Sequence, residues 1–166
     1  MKTEPTLILS EEDIDIKIKR ISLQILEACI DDESMVVAGI EKNGFIMAES
    51  ILKNLNKLSE QSIILAKVKI NKKNPLNSVE VSLTPTEYKN KSVILIDDVL
   101  NTGSTLMFAA KHFLDVPLKQ FKTAVLVDRN HKKYPIKVDF KGISLSTSLN
   151  ESVNVDFTTP AKAELI

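Results

Sequence analysis

The apolar positions of this chain switch repeatedly between a helical period and short continuous runs. Ser10 followed by Glu11, Glu12 and Asp13 has the form of a helix N-cap with acids in the first turn. Ile14, Ile18, Ile21, Ile25 and Cys29 then recur at helical spacing and predict one apolar stripe on a helix over 11–30. Residues 35–40, MVVAGI, are a continuous apolar run, the mark of a strand covered on both faces. Glu41, Lys42, Asn43 and Gly44 read as a turn, and Phe45, Ala48, Leu52, Leu55 and Leu58 predict the next helical stripe. Residues 62–70 predict a strand half exposed through Lys67 and Lys69. A polar loop over 71–78 follows, and then Val79, Val81 and Leu83 alternate as a further strand. Residues 93–96 predict another buried strand, 104–115 a helix and 123–127 a strand. Residues 136–157 hold short strand-like pieces and no strong helix.

Strands alternating with helices put the chain in the α/β class, with a parallel sheet flanked by helices and right-handed crossovers. No repeat, low-complexity tract or long linker divides it, so one domain over 1–166 is expected. Ligands of such sheets sit at the carboxyl ends of strands, and the loops 41–44 and 97–105 both begin at such an end.

Composition limits the partners. Hydrophobic residues make up 43% and charged residues 27%, the balance of a globular chain rather than a disordered one. Lysine plus arginine equals aspartate plus glutamate at 22 each, so no overall field draws in nucleic acid or a membrane. The apolar run at 7–9 is too short for a signal-peptide core, and no stretch approaches the roughly 18 apolar residues of a membrane span. The single cysteine, Cys29, forms no internal disulfide and builds no metal site alone. A reducing cytoplasm fits this pattern. Arg20 and Arg129 are the only arginines, so planar bidentate grips on phosphate are scarce. His112 and His131 are given no role.

Residues 92–106, SVILIDDVLNTGSTL, carry the candidate chemistry. A strand delivers the adjacent carboxylates Asp97 and Asp98, and a Thr-Gly-Ser-Thr turn then opens a helix. Carboxylates accept hydrogen bonds from vicinal sugar hydroxyls. The backbone amides of Thr102, Gly103, Ser104 and Thr105 make an anion site at a helix N-terminus, and Gly103 admits a close approach. Ribose at one end and phosphate at the other describe a sugar 5-phosphate site. Spacing alone leaves two other readings open: a phosphoryl-accepting receiver domain, and a plain helix cap. A Walker A loop is excluded, because the Gly-Lys-Ser/Thr ending is missing.

The same segment resembles the binding signature for 5-phosphoribosyl-1-pyrophosphate (PRPP) of type I phosphoribosyltransferases. Residues 123–142, TAVLVDRNHKKYPIKVDFKG, resemble the matching stretch of the bifunctional pyrimidine-operon attenuator and uracil phosphoribosyltransferase proteins. The likeness runs through most of 7–157 and is weakest over 67–90 and after 157. It implies a type I phosphoribosyltransferase fold with a small C-terminal hood, Mg2+ as cofactor, PRPP and a nucleobase or nucleoside monophosphate as ligands, and a homodimer. It implies that Asp97 and Asp98 hold the ribose hydroxyls, with Asp97 touching the PRPP-bound magnesium. Asn101, Thr102, Gly103, Ser104 and Thr105 would take the 5′-phosphate. Glu41, Lys42, Asn43 and Gly44 would form the pyrophosphate loop, and Val127, Asp128 and Phe140 would neighbour the base.

Several positions depart from that family. Asn101 stands where pyrimidine members carry an aromatic residue and 6-oxopurine members an acid, which disfavours purines without selecting uracil. Ser104 and Asn43 stand where the attenuator proteins usually have arginines, and the closing loop, 67–91, has none, leaving Lys69, Lys72 and Lys73 as substitutes. These gaps predict PRPP binding with slow turnover, and Asn43→Arg as the rate-raising change. The attenuator proteins also bind messenger RNA through basic surface. Here Arg129, Lys132, Lys133, Lys137 and Lys141 cluster against Asp139, with Lys17, Lys19 and Arg20 on the first helix. An ordinary solvated face is the competing reading. The expected function is phosphoribosyl transfer from PRPP to a nucleobase, first of all uracil. The alternative, from another class, is a regulatory PRPP or nucleotide sensor with little catalysis that binds RNA.

Overall fold

Burial on both faces of the central strands organises the fold. In the computed structural model, which describes residues 4–166, β2 (Ser34–Ile40) has every residue from Met35 to Ile40 buried. Met35 and Val37 point into one core cluster, and Val36, Ala38 and Ile40 into another, as the two-residue period of a strand requires. Around β2 lie β3 (Ser62–Lys69), β4 (Glu80–Val81), β5 (Ser92–Leu100), β6 (Gln120–Asp128) and β7 (Phe140–Ser144). They form a six-stranded sheet in the order β4-β3-β2-β5-β6-β7, parallel except for β4. The helices α1 (Glu11–Ala28) and α2 (Asn43–Leu58) cover one face. The short α3 (Pro85–Tyr88) and α4 (Ser104–Phe113) supply Tyr88, Leu106, Ala109 and Phe113 to the core on the other.

A second sheet, β1-β9-β8, is antiparallel and made of β1 (Thr6–Leu9), β8 (Val153–Asp156) and β9 (Lys162–Leu165). This is the expected hood, and the N-terminal strand completes it. Leu9, Val155 and Ala163 join the core cluster that α1 and α2 form with the main sheet, so the hood and the sheet share apolar packing. No helix of the described residues is long and apolar enough to cross a membrane. Met1, Lys2 and Thr3, which belong to the N-terminal segment and to the domain expected over 1–166, lie outside the described residues.

The first helix follows its sequence pattern closely. Ser10 and Asp13 exchange side-chain and backbone hydrogen bonds in a capping box, and Ile14, Ile18, Ile21, Ile25 and Cys29 are all buried. The strands expected over 35–40 and 62–70 are also present, whereas other elements differ from the expectation. On α2 the buried face is Gly44, Met47, Ala48, Ile51 and Leu55, while Leu58 is exposed. The helix is rotated from the expected stripe because Gly44, in its first turn, rests against the backbone of β5. The strand expected through 79–83 keeps only two paired residues and gives way to α3, whose capping box joins Thr84 and Glu87. The strand expected over 93–96 runs on to Leu100, which takes both adjacent acids into β5. The helix expected to reach 115 stops at Phe113.

Candidate active site

The parallel strands end at one edge, and the candidate residues collect there. Gly44 shows how tightly the pyrophosphate-loop candidate meets β5. A Cβ at that position would lie 2.8 Å from the Ile96 carbonyl oxygen and 3.0 Å from the Asp97 Cα. Gly44→Ala is therefore expected to destabilise the fold by about 1–3 kcal/mol through overpacking and to displace the acids. Urea denaturation together with ribose 5-phosphate affinity measures both effects. A variant as stable as the parent, with unchanged affinity, would contradict this account of the loop.

Asp97 is buried, with a side-chain exposure of 3%. Its carboxylate accepts from the Asp98 amide at 3.0 Å and from the Lys72 ammonium at 3.2 and 3.4 Å. Burial pushes its pKa up to about 7, with Lys72 pulling the other way and the Asp98 charge adding to the rise. Asp98 accepts from the Val99 amide at 2.9 Å and from Asn43 Nδ2 at 2.8 Å, and Lys72 Nζ lies 4.0 Å from its other face. Asn43 also donates to the Val155 carbonyl at 2.8 Å, which ties the start of α2 and the acid pair to the hood. Arginine at position 43 would break that tie, so Asn43→Arg is not the simple gain of charge that the sequence suggests.

The phosphate-binding candidates form the turn into α4. Gly103 is its N-cap with φ +86°, and a Cβ there would also meet Ile136 at 2.7 Å. Both the backbone angle and the space call for glycine. The Thr102 hydroxyl accepts from the Ser104 amide at 3.3 Å, and the Thr102 carbonyl accepts from the amides of Lys133 and Tyr134 at 2.8 and 3.2 Å. The chain after β6 thus braces the turn from behind. First-turn amides of a helix have no intrahelical partner and face an anion. A cavity of about 390 Å³ runs past this turn, lined by residues 97–106 with Lys72, Arg129, Ser152 and Val153.

Glu41, Lys42, Asn43 and Gly44 adjoin it. Lys42 adopts φ +72° and ψ −119°, a conformation costly for a residue with a Cβ and commonest at functional loops. A second depression of about 270 Å³ is lined by Glu41, Lys42, Ile70, Asn71, Lys72 and Lys73. Lys72 lines both cavities, with the acids on one side and two further lysines on the other.

The base candidates are placed elsewhere. Val127 is a core residue, and Phe140 packs on the α1 side of the sheet opposite Ala124. Buried Asp128 accepts from Lys141 Nζ at 3.1 Å and from the Asn130 amide at 3.0 Å. None of the three lines the cavity. Arg129 does line it, although its charge suggested surface. It sits directly after the carboxyl end of β6, and the rule that ligands gather at strand ends is the signal that points to it. The basic face is thinned accordingly. Arg129 is buried, Lys141 is paired with Asp128, and Arg20 donates to the carbonyls of Lys141 and Gly142 at 2.9 and 2.6 Å. Lys132, Lys133 and Lys137 remain exposed.

The edge of this parallel α/β sheet brings together two acids, a glycine turn at a helix N-terminus and a lysine-rich loop. The chain belongs to the phosphoribosyltransferase family, since residues 7–161 match the phosphoribosyl transferase domain. Among its relatives is the bifunctional protein PyrR of Haemophilus ducreyi, 35% identical over 157 residues, covering 90% of this chain and 88% of that one. PyrR of Pediococcus pentosaceus is 36% identical and PyrR of Bacillus cereus 31%, covering 82% and 92% of this chain and 82% and 91% of their own. In fold it is similar to a hypoxanthine-guanine phosphoribosyltransferase from Bacillus anthracis, with a TM-score of 0.78, 20% identity, and 97% and 96% of the two chains covered. The hypoxanthine phosphoribosyltransferase of Trypanosoma cruzi superposes with a TM-score of 0.74 at 17% identity, over 89% and 84% of the chains.

Proposed function

We propose that the protein transfers the phosphoribosyl group of PRPP to a nucleobase, uracil first, and releases pyrophosphate. The observation that carries this reading is one cavity in which buried Asp97, half-buried Asp98 and a helix N-terminus lie side by side, with a lysine-lined depression adjoining the acids. Asp97 and Asp98 accept from the ribose hydroxyls. The amides of Gly103, Ser104 and Thr105 take the 5′-phosphate. Lys42, Lys72 and Lys73 face the pyrophosphate. A base ring nitrogen bonds to the anomeric carbon, pyrophosphate leaves with the electron pair of the broken C–O bond, and the ring proton passes to water.

Magnesium belongs to the reading. Asp97 and Asp98 already hold the Lys72 ammonium, and one or two carboxylates plus substrate oxygens are the usual magnesium set. When bound, the ion would neutralise charge on the leaving pyrophosphate. The uracil preference and a homodimer rest on the resemblance of residues 123–142 to the pyrimidine-operon attenuator and uracil phosphoribosyltransferase proteins. Arg20, Arg129 and Lys141 of the basic face are engaged within the fold, which leaves less free charge for an RNA backbone.

PRPP with magnesium at 100 times its Kd is expected to stabilise the protein by about 2.7 kcal/mol, by mass action. Asp98→Asn should shrink that gain. A melting temperature unmoved by saturating PRPP, ribose 5-phosphate and UMP would remove the reading.

A further inference from the structure

Arg129 is a buried cation with no carboxylate bound to it. Only 6% of its surface is exposed. Its Nε and Nη2 donate to the Thr147 hydroxyl at 3.2 and 3.0 Å, Nη2 also to the Glu151 carbonyl, and Nη1 to Asn101 Oδ1 at 2.9 Å. All three acceptors, the Thr147 hydroxyl, the Glu151 carbonyl and Asn101 Oδ1, are neutral oxygens. The nearby acids are committed elsewhere: the Glu151 carboxylate accepts from the Ser148 amide, and Asp128 from Lys141 and Asn130. Among the described residues no ion pair reaches the guanidinium within 4.0 Å. A buried charge is costly unless it is paired, and this one lines the cavity beside the acids and the phosphate turn.

A guanidinium has five N–H donors. Four hydrogen bonds occupy Nε, both sites of Nη2 and one of Nη1, which leaves one Nη1 donor unused. The residues that hold Arg129 define where that donor lies. Asn101 belongs to the phosphate turn, while Thr147 and Glu151 belong to the chain leading into β8 of the hood. The arginine therefore spans the gap between turn and hood, the part of the cavity beyond the sugar and phosphate positions.

We propose that Arg129 reads the nucleobase, its unshared charge and spare N–H selecting a ring that presents a carbonyl oxygen at this position over one that presents an amino group. This rests on the phosphoribosyltransferase reading and names the substrate class: oxo bases such as uracil, against amino bases such as cytosine. The discrimination has a simple cause. A carbonyl oxygen accepts from the donor and meets its charge, whereas an amino group sets donor against donor and leaves a buried cation unpaired. Asn101 holds the guanidinium through its oxygen and adds no charge of its own. An acid at the same position would pair with Arg129 and quench the effect.

The test compares the Kd values of UMP, CMP and ribose 5-phosphate for the parent, Arg129→Gln, Arg129→Lys and Asn101→Asp, with melting temperatures recorded alongside. UMP should bind the parent about tenfold to a hundredfold more tightly than CMP, the worth of one hydrogen bond to a charged group. Arg129→Gln should bring the ratio close to one while ribose 5-phosphate binds as before, and Arg129→Lys should keep part of it. Asn101→Asp leaves the arginine in place and should also reduce the ratio, so it carries the test if Arg129→Gln does not fold. UMP and CMP share the phosphate, so any effect on that group cancels. A UMP preference that persists in Arg129→Gln or in Asn101→Asp overturns the assignment. So does a parent that binds ribose 5-phosphate without distinguishing UMP from CMP. A parent that binds none of the three overturns the phosphoribosyltransferase reading together with it.

Discussion

Asp97→Asn is expected to make the unliganded protein more stable at pH 8 and far less active. The Asp97 carboxyl is buried, and burial raises its pKa to about 7 in the folded state, against 3.8 for the free group. Between those values the folded chain binds more protons than the unfolded one, so stability falls as pH rises. The contribution of the protonated acid is fully present below about pH 4 and is lost as pH climbs through about 7. Above pH 7 the folded state carries a charge that Lys72 only partly offsets. At 1.36 kcal/mol per pKa unit, the penalty at pH 8 is up to about 4 kcal/mol. Asparagine keeps the shape and the acceptor for the Asp98 amide and removes the charge. Urea unfolding at pH 8 should therefore show a gain that shrinks towards pH 4. The same change should lower transfer about 100- to 1,000-fold, the usual effect of losing a preorganised charged group. An equal gain at both pH values, or a loss at pH 8, would contradict the burial argument.

Lys72→Met is the second large effect. In the unliganded protein Lys72 sits against both acids, and the depression it shares with Lys42 and Lys73 adjoins them. When the sugar and its metal take the acids, the ammonium is left facing the pyrophosphate. Charge that grows on a leaving group is where a fixed cation acts on turnover rather than on binding. Lys72→Met should cut turnover about 100- to 1,000-fold. Ribose 5-phosphate has no pyrophosphate, and it should bind at least as well as to the parent because the acids have lost a competitor. Steady-state kinetics and calorimetry check the two halves. Turnover unchanged, with weakened ribose 5-phosphate binding, would mean that Lys72 serves only the sugar.

This lysine also changes what the sequence implies about rate. Missing arginines at 43, 104 and 67–91 suggest a site able to bind but poor at expelling pyrophosphate. Lys72 appeared there only as one of three loop lysines, because the contact joining residue 72 to residue 97 has no local pattern. The long-range pairings behave alike. Asp97, Asp98 and the Gly103 turn were legible, since strand, acids and glycine turn are contiguous and each has a local reason. Arg129 was hidden by its neighbours: among lysines it reads as surface charge, and only the end of β6 reveals that it turns inward. Phe140 poses the opposite case, since its apolar ring packs on the α1 face of the sheet and an apolar ring suits a core as readily as a base pocket. The hood was legible as short strands, but β1 pairs with β9 across nearly the whole chain, and no spacing rule reaches that far. On α2 the expected stripe through Phe45, Leu52 and Leu58 is off by a rotation. Apolar residues on several faces fit more than one choice, and only the close approach of Gly44 to β5 selects the observed one.

The central claim is transfer from PRPP to a nucleobase, and the direct measurement is pyrophosphate release with PRPP, magnesium and each of uracil, cytosine, hypoxanthine, guanine and adenine. The account predicts release that depends on the added base, fastest with uracil and accompanied by formation of UMP. Release that is independent of any base, faster with a purine, or absent with all five would contradict it.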